Sequence, residues 1–153
     1  MGIVKFKQKY RIDSTRLANW DYSNDGAYFI TLCTNNREYY FGDIVNCELT
    51  DTIQSKISME CWLDLPNHYT NCLLDKFVIM PNHVHGVIII DNDRHKKTGL
   101  KPVSTEEKRY PLSEIVRGFK TFSARKINQY QNTPGRPFWQ QRYYDHIIRD
   151  EDE

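Results

Sequence analysis

Two apolar runs, Phe77-Val78-Ile79-Met80 and His83 through Ile90, are separated only by Pro81-Asn82, and no other feature constrains the fold of this chain as strongly. Both runs are rich in β-branched residues and read as strands. A two-residue connection leaves no room for a crossover, so the strands are expected to be antiparallel neighbours. The rest of the chain is then read around that hairpin. Asp21-Tyr22-Ser23-Asn24-Asp25-Gly26 is a turn signal, and Tyr28 through Thr34 follows it as a strand. A loop through Gly42 and a short strand at 43–49 lead to a helix over about 51–64, with Asp51 and Gln54 as a capping box and Pro66 as its stop. Ile53, Ile57 and Cys61 recur along it at four-residue spacing. A second helix is expected over 112–131, where Leu112, Ile115, Val116, Phe119, Phe122, Ile127 and Tyr130 form a helical stripe ended by Thr133-Pro134-Gly135. The last strand is expected over 138–148. The order β, α, β, β, α, β predicts an α+β domain of the ferredoxin-like type, with helices on one face of an antiparallel sheet. That fold hosts enzymes, metal binders and RNA readers alike, so function has to come from individual residues.

A chain of 153 residues suits one domain with a proper core. Residues 1–26 read as a basic N-terminal extension and 91–111 as a mobile loop. Aromatics make up 13% of the chain, with ten tyrosines and three tryptophans, which fits either core packing or stacking on nucleic-acid bases. Net charge is only +1, so the footprint of a nucleic-acid binder shows only locally. Lys5, Lys7, Lys9, Arg11 and Arg16 crowd the N-terminus, and Arg117, Lys120, Arg125 and Lys126 lie on the second helix without an acid among them. Cys33, Cys47, Cys61 and Cys72 form no CxxC pair and read as reduced thiols. With neither a leader-like N-terminus nor an apolar run of membrane-spanning length, the expectation is a cytoplasmic protein without a membrane partner.

His83 and His85 carry the most chemical information. Two residues apart on a strand, they project from the same face while Val84 points to the other. Two neutral imidazoles on one rigid strand are half of a site for a divalent ion. Further protein, water or substrate oxygens have to complete it. Alone, an H-x-H is also compatible with two satisfied or merely exposed histidines, but here the pair follows Met80-Pro81-Asn82 within an otherwise apolar strand.

The stretch Phe77-Val78-Ile79-Met80-Pro81-Asn82-His83-Val84-His85-Gly86 resembles the "xVIMPNHxHxI" signature of the REP-associated tyrosine transposases and their single-tyrosine HUH relatives. Three further stretches are similar to the same family, in the same order. They are Tyr28-Phe29-Ile30-Thr31 with Asn35-Asn36-Arg37 and Phe41-Gly42, then Val116-Arg117-Gly118-Phe119-Lys120, then Phe138 through Asp150 against "WQRxYxDHIIRxE". The resemblance implies that His83 and His85 hold Mg²⁺ or Mn²⁺ at the scissile phosphate of single-stranded or hairpin DNA. It also implies that a tyrosine hydroxyl attacks to give a 5′-phosphotyrosine, later resolved by rejoining. Free tyrosine has a pKa near 10, so metal charge and positioning have to supply much of the catalysis.

In that family the nucleophile and a third metal ligand lie on a helix beyond the "DHIIR" block, and neither has a matching position here. The resemblance therefore implies a C-terminally truncated domain that cuts DNA weakly or not at all. Tyr144 is the fallback nucleophile, its alternative being a packed aromatic. Asp145 and His146 are either structural or substitute ligands. Phe138, Trp139 and Tyr143 either pack or stack on bases. Arg117, Lys120, Arg125 and Lys126 either contact phosphates or form a solvated helix face. A homodimer is compatible with this reading. The rival readings are a catalytically inert DNA- or RNA-binding domain of the same fold and a metal-independent two-histidine phosphodiesterase. The latter needs a pair of H-x-[ST] motifs that the chain does not supply.

Overall fold

The computed structural model describes residues 17–94 and 108–149, together with the backbone of a short hairpin pairing Lys5–Phe6 with Lys9–Tyr10. Residues 95–107 of the loop expected at 91–111, and residues 1–4, 7–8 and 11–16 of the basic extension, lie outside the described residues. The centre of the molecule is a four-stranded sheet of β1 (Gly26–Cys33), β2 (Cys72–Met80), β3 (His83–Ile90) and β4 (Tyr144–Ile148). Its spatial order is β2-β3-β1-β4, with every pair antiparallel. Helices α1 (Ile53–Leu63), α2 (Leu65–His68) and α3 (Leu112–Gln131) complete the fold. This is the expected ferredoxin-like α+β architecture, with Pro81-Asn82 as the β2–β3 turn.

Strict alternation sets the two faces of the sheet apart. On β3, Val84, Gly86, Ile88 and Ile90 are buried while His83, His85, Val87 and Ile89 are half-buried on the other side. Tyr28, Ile30 and Leu32 of β1 and Ile147 of β4 share the buried face. Against it pack Trp62 from α1 and Leu112, Ile115, Phe119 and Ile127 from α3. Trp62 stacks on Phe77 at 4.4 Å between ring centroids and meets Phe119 edge-on at 5.8 Å.

Two glycines let these layers close. A Cβ on Gly86 would lie 2.4 Å from the Trp62 ring, and one on Gly118 would lie 1.8 Å from the Tyr69 hydroxyl. Tyr69 is itself buried against Tyr110. Gly118→Ala is therefore expected to cost about 1–3 kcal/mol by overpacking, read as a lowered midpoint in urea denaturation. An unchanged midpoint would show that Tyr69 can swing away.

Four local expectations need correcting. The cap of α1 is Thr52, one residue beyond Asp51, and its hydroxyl accepts from Ser55 N at 3.2 Å while Ser55 Oγ accepts from Thr52 N at 3.0 Å. Pro66 does not end helical structure. It falls in the first turn of α2, where a missing N–H costs no hydrogen bond. The strand expected at 43–49 is a minimal hairpin, Ile44–Val45 against Glu48–Leu49. The strand expected at 138–148 is regular only from Tyr144. Phe138 and Trp139 are consecutive yet both buried, which an alternating strand cannot accommodate. The carbonyls of Gln140 and Gln141 accept from Lys120 Nζ at 2.6 and 3.0 Å, so α3 rather than a neighbouring strand takes them.

Candidate metal and nucleic-acid site

The open face of the sheet is built from odd positions of β3 and β1 and even positions of β4. Register places Val78, His85, Thr31 and Tyr144 in one row across all four strands. The next row in one direction holds Val87, Phe29 and His146, and the next in the other holds Met80, His83 and Cys33. His83 and His85 thus stand side by side, with ring centroids 4.8 Å apart and planes nearly perpendicular. Phe29 stacks on His85 at 5.4 Å.

Each imidazole is held by its Nδ1. Asn82 Oδ1 lies 2.8 Å from Nδ1 of His83. A carbonyl oxygen can only accept, so the proton sits on Nδ1 and the lone pair on Nε2. Thr31 Oγ1 lies 2.9 Å from Nδ1 of His85 and can accept its proton in the same way. Burial, then the neighbouring His85, then Arg37 hold the pKa of His83 below the usual imidazole value, which favours the neutral ring. Two rings held at Nδ1 by outer partners keep Nε2 as the remaining ring nitrogen, which is the donor chemistry that suits a divalent transition ion. They fill only part of a shell. Among the described residues no group of three His, Cys, Asp or Glu side chains comes together. Cys33, the register partner of His83, does not complete a trio.

The other candidates divide by face. Tyr144 is exposed on the open face, in the same row as His85 with Thr31 between them. His146 shares that face, but β1 separates it from the β3 histidines. Asp145 pairs with Ile30 and is buried toward the helices, so it is neither a ligand nor an orienting group for the pair. Phe138 and Trp139 are buried, with Trp139 Nε1 donating to Ser123 Oγ at 2.9 Å, so packing is their role and base stacking is not. Tyr143 is half-buried, packed against the core.

The four cations of α3 do not converge on the histidines, because α3 covers the opposite face. Arg117 and Arg125 are exposed there. The Lys120 ammonium is taken up by two carbonyls, and burial pulls its pKa below the usual lysine value. Lys126 is exposed, and its charge adds to the hydrogen bonds from Asn67 and His68 that lower the Asp64 carboxyl. Sequence reasoning gave no role in this site to Thr31, Asn82 or Arg37. All three stand in motif stretches, but nothing in a linear pattern says which imidazole each one serves.

No protein-family model matches the chain. An uncharacterized protein of Haemophilus influenzae is 36% identical over 148 residues, covering 90% of this chain and 79% of its own length. The chain belongs to the family of that Haemophilus protein. The membership brings no activity with it. Among solved structures, a REP-associated tyrosine transposase bound to a REP hairpin is similar at a TM-score of 0.55 and 15% identity, over 92% of this chain. The match spans only 65% of that transposase's chain. A candidate transposase from Deinococcus radiodurans is similar at a TM-score of 0.53 and 15% identity, covering 90% of this chain and 88% of its own. At such identities the likeness establishes a transposase-like fold. Among the described residues no helix is long and apolar enough to cross a membrane.

Proposed function

We propose that the chain is a DNA-processing domain of the single-tyrosine HUH type, acting on single-stranded DNA beside a hairpin. One observation carries the reading: two imidazoles, each tied down at Nδ1, present Nε2 from the open face of a rigid sheet. Likeness to the fold of a transposase bound to a REP hairpin supports it. Bound there, Mg²⁺ or Mn²⁺ would supply Lewis-acid charge to a phosphodiester. Asn82 and Thr31 hold the rings in orientation, Phe29 shields one side of His85, and Arg37 adds positive charge near His83. In the covalent step a tyrosine oxygen forms a bond to phosphorus while the bond from phosphorus to the 3′ oxygen breaks. The phenolic proton is lost and the 3′ oxygen leaves as a hydroxyl. Among the sheet strands, Tyr144 is the tyrosine facing that side.

The test is to incubate the protein with labelled hairpin DNA carrying a single-stranded flank, with and without Mn²⁺, and to measure affinity and any covalent adduct. Affinity is expected to exceed that for a plain duplex and to rise with Mn²⁺. An adduct that Tyr144→Phe abolishes would assign the nucleophile, with Tyr143→Phe as control. Equal affinity for duplex and flank, indifferent to Mn²⁺, would sink the proposal. The second reading, a metal-independent DNA- or RNA-binding domain, is favoured by the lack of a third donor among the described residues. It predicts full affinity in chelator.

A further inference from the structure

On the helix side of the molecule, α3 and the returning segment 134–143 enclose a groove. One part, about 490 Å³, is lined by Arg117, Lys120, Arg136 and Phe138 among others. The adjoining part, about 740 Å³, is lined by Arg125, Asn128 and Gln129 among others. The two share Thr121, Ala124 and Arg136, so they form one channel along the helix. Among the described residues no carboxylate lines either part. Arg117, Thr121 and Arg125 recur at four-residue spacing, which puts the two arginines on one side of the helix with their backbones about 12 Å apart along its axis, at about 1.5 Å per residue. Arg136 faces them across the groove, braced by a hydrogen bond from Nη2 to the Tyr40 hydroxyl at 3.2 Å.

We infer that this groove seats the phosphodiester backbone of a DNA duplex, as a site separate from the histidine face. The inference rests on the reading that the chain acts on DNA. Three arginines along one groove, with no carboxylate among its described lining residues, can each take one phosphate of a single strand of a B-form duplex. Arginine forks suit phosphate oxygens. The aromatic floor favours duplex over single strand. Phe138 and Trp139 are 3% and 7% exposed, so they offer unpaired bases no stacking surface. A backbone whose bases are turned inward needs none. The stem of a hairpin would then lie on the helix side while its single-stranded flank reaches the open face around the edge of the sheet.

The experiment compares the parent with Arg117→Gln/Arg125→Gln and with the triple variant that adds Arg136→Gln. Fluorescence anisotropy is measured on a blunt duplex, a hairpin and an unstructured single strand over a range of salt. Thermal unfolding checks the fold, and the double variant, which changes only exposed side chains, guards against loss of the Tyr40 contact. The triple variant should lose duplex and hairpin affinity and shed about 2.7 from the log–log salt slope, at about 0.9 per phosphate contact, with single-strand binding retained. A duplex salt slope unchanged in both folded variants would overturn the inference, as would a loss confined to the single strand. Failure of the histidine reading is separable. It would show as a parent that binds no Mn²⁺, whereas the groove variants should bind Mn²⁺ like the parent.

Discussion

Trp62→Ala is expected to destabilise the protein by about 3–5 kcal/mol, enough to leave a domain of ordinary stability partly unfolded. Trp62 is 1% exposed and sits where α1, α3 and the sheet meet. Burying about 200 Å² of its surface at about 25 cal/mol per Å² contributes roughly 5 kcal/mol, and truncation also leaves a cavity between Phe77 and Phe119. Gly86 gives an internal control. A methyl there would come 2.4 Å from the ring of Trp62, so Gly86→Ala alone is expected to cost about 1–3 kcal/mol. In the double variant that methyl points into the space the indole vacated. The two changes together should therefore cost less than their sum by at least about 0.5 kcal/mol. Denaturant midpoints of the four proteins measure this coupling. Strict additivity would show that Trp62 and Gly86 do not constrain each other.

Much of this arrangement is legible without a structure because it depends on short-range periodicity. The stripe from Leu112 predicts α3 to its last residue, Gln131, and Pro81-Asn82 predicts the hairpin. What fails does so where a distant partner overrides a local pattern. The strand β2 starts at Cys72, but Asp75-Lys76 interrupts its apolar run at a register shift between Leu74 and Phe77. Phe138 through Tyr143 has strand composition, yet Lys120 claims two of its carbonyls. The same contact explains why Lys120 is misread as a free cation. Within the site, His83 and His85 are legible from their spacing of two. The Thr31 contact to His85 is not, because it joins residues 54 positions apart through strand register. Arg136, too, meets Arg117 and Arg125 only because the chain reverses after α3.

The second large effect concerns the metal. His83→Ala with His85→Ala removes both nitrogen donors that β3 presents on the open face, and Mn²⁺ binding is expected to disappear while the fold persists. Both rings lie on the half-buried face rather than in the helix-side core. Asn82 and Thr31 orient the rings without offering a donor of their own to the ion. Thr31→Val keeps the volume but deletes the hydroxyl that holds Nδ1 of His85. It should weaken Mn²⁺ affinity by about 10- to 100-fold without abolishing it. A graded loss across these variants would separate donor from orienting partner.

The most direct test is a Mn²⁺ titration of the whole chain, read by electron spin resonance of the free ion at neutral pH, alongside the double histidine variant. The account predicts a saturable site in the parent, weakened in Thr31→Val and gone in His83→Ala/His85→Ala. A double variant that binds Mn²⁺ as tightly as the parent would contradict the assignment of the open face as the metal centre.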